Sequence, residues 1–103
     1  MKFVTYLVTH HNDGSRVDPA TREAILKKAW QTFGGYSLSG PMTGAWADGE
    51  TLYQETVDRI EIACENARYP EARDWVLWAG KLLHQKAMYF EVQYCDGVEI
   101  LEI

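Results

Sequence analysis

Cysteine is scarce in this chain. Cys64 and Cys95 are the only two among 103 residues, and neither belongs to a CxxC pair or stands near a histidine in the sequence. A disulfide framework is therefore not expected, and both thiols read as small apolar side chains on strands in a reducing compartment. No apolar run approaches the ~20 residues that a membrane-spanning helix requires. The opening segment MKFVTYLVTHHNDG alternates where a secretion signal would be continuously apolar, so a cytoplasmic protein is expected. Positive charge is in deficit: 10 Lys and Arg face 15 Asp and Glu, a net charge of −5. Such a balance repels nucleic-acid phosphates and anionic lipid surfaces, and argues against both as partners. No internal repeat, low-complexity tract or linker is visible, and 103 residues are too few for two independent cores, so one domain spanning 1–103 is expected.

What is present is a well-supplied core. Hydrophobic residues make up 47% of the chain and aromatic residues 13%, enough apolar surface to offset chain entropy without covalent staples. The segment 2–10, KFVTYLVTH, is β-branched and aromatic and runs into the turn composition HNDGS, which predicts a strand with Phe3, Thr5 and Leu7 on one face and Val4, Tyr6 and Val8 on the other. Asp18 before Pro19 is a helix start, and Ile25, Leu26, Ala29, Trp30 and Phe33 recur at spacings of three and four until Gly34-Gly35 stops the helix near residue 33. Pro70 opens a second helix whose stripe is Ala72, Trp75, Val76, Ala79, Leu82 and Leu83. Both Trp30 and Trp75 lie on these stripes and are expected in the core, with Trp78 beside its stripe as part of a contact surface.

Between the helices, YSLSGPMTGAW and the segment around TVDRIEIACE read as two strands, and Ile60, Ile62 and Cys64 alternate with Arg59, Glu61 and Ala63 in the latter. After the second helix, Met88, Phe90, Val92 and Tyr94 alternate with Tyr89, Glu91 and Gln93, and VEILEI offers a short fifth strand. The order strand, helix, strand, strand, helix, strand is that of an α+β, ferredoxin-like βαββαβ sandwich with both helices on one face of an antiparallel sheet.

The glycine-rich stretch GPMTGAWADGE at 40–50 raises the question of a phosphate-binding loop. No lysine follows its glycines, and strand-like sequence rather than a helix follows Gly44 and Gly49, so neither the ammonium nor the helix N-terminus that such loops need is supplied. Asp48-Gly49 is instead a hairpin turn signal that brings Trp46 opposite Tyr53, and Gly40-Pro41 marks a bulge. The combination of FGGYSLSGPMTGAWADGE, a strand, a long helix and HQKAMYFEVQY, about residues 33–94, resembles a small bacterial family of uncharacterised proteins. The resemblance runs through Phe33 and Gly34, Gly44 with Trp46, and Gln85; it implies the same βαββαβ fold and no mechanism.

Two groups of residues carry chemistry. His10 and His11 end the first strand, where a near-neutral imidazole suits acid/base work. Neighbours on a strand point to opposite faces, so the two cannot share a metal without ligands from elsewhere, such as His84 or a carboxylate; no metal and no cofactor are expected. Tyr53, Glu55, Asp58, Arg59 and Glu61 form the densest polar cluster, with Tyr53, Glu55, Arg59 and Glu61 sharing a face if the strand is regular. The plain reading is a solvated sheet face with weak ion pairs. The sharper one makes Arg59, with Tyr53 and Glu61, a site for a small anionic ligand, and Glu55, His10 or His11 its acid/base groups.

The uncovered sheet face is expected to carry Phe3, Leu7 and Tyr89, and an exposed apolar patch of that kind marks an interface. Self-association as a homodimer, face to face or through the VEILEI edge, is thus the leading expectation. Arg59, Glu61 and Ala63 stand where RNA-recognition modules of this fold place stacking aromatics, which argues against RNA. The resulting expectation is a small oligomeric binding or regulatory module. The alternative is a small enzyme with its acid/base site in a cleft between two sheets of a dimer, acting on a small anionic substrate. A third possibility, an acidic inhibitor of a basic surface, needs clustered carboxylates, whereas the 15 are spread along the chain.

Overall fold

A computed structural model describes residues 1–103. The elements follow as β1 (Lys2–Val8), α1 (Pro19–Phe33), β2 (Ser37–Asp48), β3 (Thr51–Ala63), α2 (Tyr69–Leu82, entered through a 3-10 turn at Asn66–Arg68) and β4 (Glu91–Gln93). The strands form one sheet in the order β2-β3-β1-β4, antiparallel at each junction. This is the α+β, ferredoxin-like arrangement.

The helices start and stop where their termini are satisfied. Asp18 Oδ1 accepts from the Ala20 amide at 3.0 Å, Pro19 occupies the first turn, and Gly34 closes α1 in the left-handed region at φ 92°. Helix α2 buries Ala72, Trp75, Val76 and Ala79, with Leu83 just past its end. Leu82, expected on that stripe, is exposed, and Gly80 takes an inward position under Met88. Trp30 is also exposed, at 49%, because α1 turns Ile25 and Ala29 inward instead; Trp78 is half-buried under the Lys28 ammonium, 4.2 Å above its ring.

Phe3 shows which face the helices cover. Its ring meets Phe33 of α1 at 5.3 Å and Trp75 of α2 at 6.1 Å, so both helices lie on the Phe3 side. Residues directly opposed across an antiparallel pair point the same way. The register Phe3↔Ile62, Thr5↔Ile60 and Leu7↔Asp58 therefore puts Ile60, Ile62 and Asp58 on the helix side, with Arg59 and Glu61 on the other. Phe3 and Leu7 are fully buried core residues, which corrects the expectation that they stand on the uncovered face. The tertiary choice of face overrode a pattern that was apolar on both sides. Each such aliphatic or aromatic side chain contributes roughly 1.5–3 kcal/mol on burial. Arg68 ties the helices together, donating to the Thr32 carbonyl at 2.8 Å and to Glu71 at 2.7 Å while lying 4.9 Å from the Phe33 ring.

The strand lengths are unequal, and this shapes the molecule. Pairing of β1 with β3 ends at Val8↔Val57, whereas β2 and β3 stay paired to Asp48↔Thr51. Residues 42–56 thus form a two-stranded arm beyond the sheet, and the molecule measures 47 × 31 × 24 Å. Gly49 at φ 61° makes the turn, and Trp46 stacks on Tyr53 at 6.1 Å across the pair. The expected bulge is present as a register shift between Ser39 and Met42, and the Gly40–Pro41 peptide is cis. Strand β3 begins at Thr51, some residues before the sequence pattern indicated. Residues 97–103 lie outside the sheet, so VEILEI is not a fifth strand in the isolated chain; both cysteines fall just past strand ends.

Candidate functional site

Alternation along β3 puts Arg59 and Glu61 on the uncovered face. Arg59 Nη2 stands 3.5 Å from Glu61 Oε1, and Lys2 Nζ stands 3.9 Å from the same oxygen. Beside them Tyr6 packs against Tyr89 at 5.2 Å, and the Tyr89 hydroxyl donates to Glu91 at 2.7 Å, which holds the phenol proton and raises its pKa above the usual value. This face is a web of charges and phenols rather than an apolar patch. The bond to Glu61 occupies the guanidinium that the sequence nominated as an anion anchor.

Tyr53 and Glu55 share the alternation phase of Arg59 but not its neighbourhood. At about 3.3 Å per residue, four positions separate Glu55 from Arg59 by ~13 Å and six separate Tyr53 by ~20 Å. Both sit on the arm, where Tyr53 pairs with Trp46 and Glu55 with Gly44. Desolvation raises the Glu55 carboxyl above the ordinary glutamate range.

The histidines, expected at the end of the first strand, lie past Val8 where β1 stops, and they part there. His10 is exposed, with Nδ1 2.8 Å from the Thr9 hydroxyl. His11 turns the other way and stacks on His84 at 4.9 Å and 24°, its Nδ1 buried without a hydrogen-bond partner. His84 adopts φ 56° just beyond α2 to meet it. The pair His11 and His84, which the sequence named as the requirement for a metal, is thus brought together, but no group of three or more His, Cys, Asp and Glu side chains is gathered to hold an ion.

Neither of the two main clefts in the surface is lined by His10, Glu55 or Arg59. One, of about 340 Å³, opens between the start of α1, the end of β1 and the β2 bulge; Thr9, Arg16, Arg22, Ser39, Gly40 and Asp58 line it. The other, of about 710 Å³, runs between the C-terminal segment and the ends of α1 and β3, and Cys64 and Cys95 both border it. Burial pushes the Cys64 thiol above its usual pKa, so it is a poor nucleophile near neutrality.

The smaller cleft holds residues to which the sequence reading gave no site role, among them Asp58 of the polar cluster. Asp58 is 7% exposed and on the helix side of β3; its Oδ2 is 2.6 Å from Arg22 Nη1 of α1. A Cβ on Gly40 would stand 2.6 Å from Asp58 Oδ1, so only glycine lets the bulge close over the carboxylate, and its φ of 135° also favours glycine. The signal was available: Asp58 falls in phase with Ile60 and Ile62, and a carboxylate on an apolar face requires a cationic partner.

Comparison with known proteins extends the fold only. No family model matches the sequence, and no curated protein matches it. Among solved structures, the divalent cation tolerance protein (Cut A1) from Thermus thermophilus is similar with a TM-score of 0.68, over 96% of this chain and 88% of that one, at 7% sequence identity. The similarity supports the ferredoxin-like arrangement that the resemblance over residues 33–94 implied, without sequence-family support.

Proposed function

We propose that this chain is a self-associating binding module in which a second copy covers the arm. The supporting observation is the unpaired outer edge of β3 at Thr51–Glu55, beyond the last bond from the β1 side, the Thr9 amide to the Thr56 carbonyl. Unpaired strand edges invite another extended segment, and this one carries exposed Leu52 and Tyr53 with Met42 and Trp46 beside them. The chain has such a segment in VEILEI at 98–103, long enough to cover that edge. Val98, Ile100, Leu101 and Ile103 are all exposed, Ile100 at 89%.

Reach supports the reading that the segment serves a partner. The C-terminal residues start beside Met1, Lys2 and Cys64, at the opposite end of β3 from its free edge. Strand β3 is 13 residues long, ~40 Å, while residues 96–103 extended span at most ~26 Å and cannot lie along their own arm. Reciprocal exchange across a two-fold axis pairs both edges at once, giving the homodimer. The uncovered face, being polar, is not the seam. The similar structure's name concerns divalent cations; with no three-ligand cluster here, no cation role is carried over from it.

The test is mass in solution by light scattering for the whole chain, for a chain truncated after Gly97, and for Leu52→Glu. The expected result is a dimer that both changes convert to monomer without loss of far-UV circular dichroism. A wild-type monomer at tens of micromolar, or a dimer indifferent to both changes, overturns the reading.

A further inference from the structure

The 340 Å³ cleft presents an arginine whose backbone is anchored, and it does not depend on assembly. Its size falls at the small end of ligand sites, ~300–1,000 Å³. Two guanidiniums and one carboxylate line it. Arg22 is committed to Asp58 through Nη1 at 2.6 Å, and Asp58 lies beneath Gly40, so this pair forms a neutral wall. Arg16 has no carboxylate within ion-pair distance. The cleft therefore carries one uncompensated positive charge in a protein whose net charge is −5.

The loop that bears Arg16 is held before any ligand arrives. Asp13 Oδ1 accepts from the Ser15 amide at 2.9 Å and from the Ser15 hydroxyl at 2.5 Å. The Ser15 carbonyl accepts from the His11 amide at 2.8 Å, and the Val17 amide donates to the Thr9 carbonyl at 3.0 Å. His10 and Arg16 stand opposite one another in an isolated bridge. Anchoring on both sides of Arg16 lowers the entropy lost when its side chain binds. The Thr9 hydroxyl on the wall is already bonded to the Thr56 carbonyl and to His10 Nδ1, whereas Arg16, unlike Arg59 with its Glu61 partner, has its planar donor fork free for a carboxylate or phosphate.

We propose that this cleft binds a small anion bearing a carboxylate or phosphate group, with Arg16 as the anchor. The test is isothermal titration with inorganic phosphate and, separately, malonate at low ionic strength, accompanied by amide chemical-shift mapping. Wild type, Arg16→Ala and the opposite-face control Arg59→Ala are compared; Arg16 is exposed, so its removal leaves the core intact. Saturable binding of at least one probe is expected, with shifts centred on Thr9, Arg16 and Ser39. Affinity falls about tenfold to a hundredfold in Arg16→Ala, the range for a hydrogen-bonded charge, and stays unchanged in Arg59→Ala. The probe that binds identifies the anion's chemistry. No saturable binding of either probe, binding indifferent to Arg16→Ala, or shifts centred on Arg59 overturns the proposal. Measurement on the chain truncated after Gly97 gives the same answer whether or not the dimer forms.

Discussion

Asp58 and Arg22 make the strongest residue-scale contact. The Asp58 side chain is 10% exposed and that of Arg22 34%, so one charge is buried and the other screened. Arg22→Ala leaves the carboxylate without its counter-charge, and a loss of about 1–3 kcal/mol is expected in urea unfolding, below the ~3–5 kcal/mol of a fully buried pair because water still reaches the site. Glu55 gives a pH test. Its folded-state pKa lies above its unfolded one, so its contribution favours folding in acid and is lost as pH rises through the ordinary glutamate range to the raised value. Glu55→Gln is therefore expected to stabilise the chain slightly near neutrality, by less than ~0.5 kcal/mol given solvent screening, and not at all below about pH 4. Thermal unfolding across pH shows whether the two curves converge in acid.

At the scale of elements, the arm and the sheet are held differently. The sheet is backed by helices; the arm has cross-strand pairs and little buried surface. Trp46→Ala removes the stack on Tyr53 and is expected to cost ~0.5–1 kcal/mol locally. Hydrogen exchange locates the effect: the Ala45–Asp48 amides should exchange faster while those of Ile60 and Ile62 stay protected. The turn, the bulge and α1 were legible in the sequence because Asp-Gly, Gly-Pro and Asp-Pro set backbone angles locally. The length of β3 was not, because Thr51–Thr56 is strand only through pairing with β2.

For the whole molecule, the proposed exchange of C-terminal segments would tie stability to concentration. Thermal midpoints should rise with protein concentration for the full chain and not for the chain truncated after Gly97, by mass action. Equal midpoints over roughly a hundredfold range in both chains would contradict the proposed dimer. The expected apolar face gave way to an exposed apolar arm and C-terminal segment, which is where the proposed association surface lies.

The amino-acid order alone determined the element sequence and the ferredoxin-like class, since caps, turn residues and periodicity act within a few positions. It also held the polar composition of β3, down to which residues alternate. Only the tertiary structure decided which side of β1 is covered, because Phe3/Leu7 and Val4/Val8 are both apolar and the choice rests on how two helices pack. The same packing brought Arg16 and Arg22 to one cleft and His11 against His84. Those distances depend on contacts between residues far apart in the chain, and no local pattern encodes them.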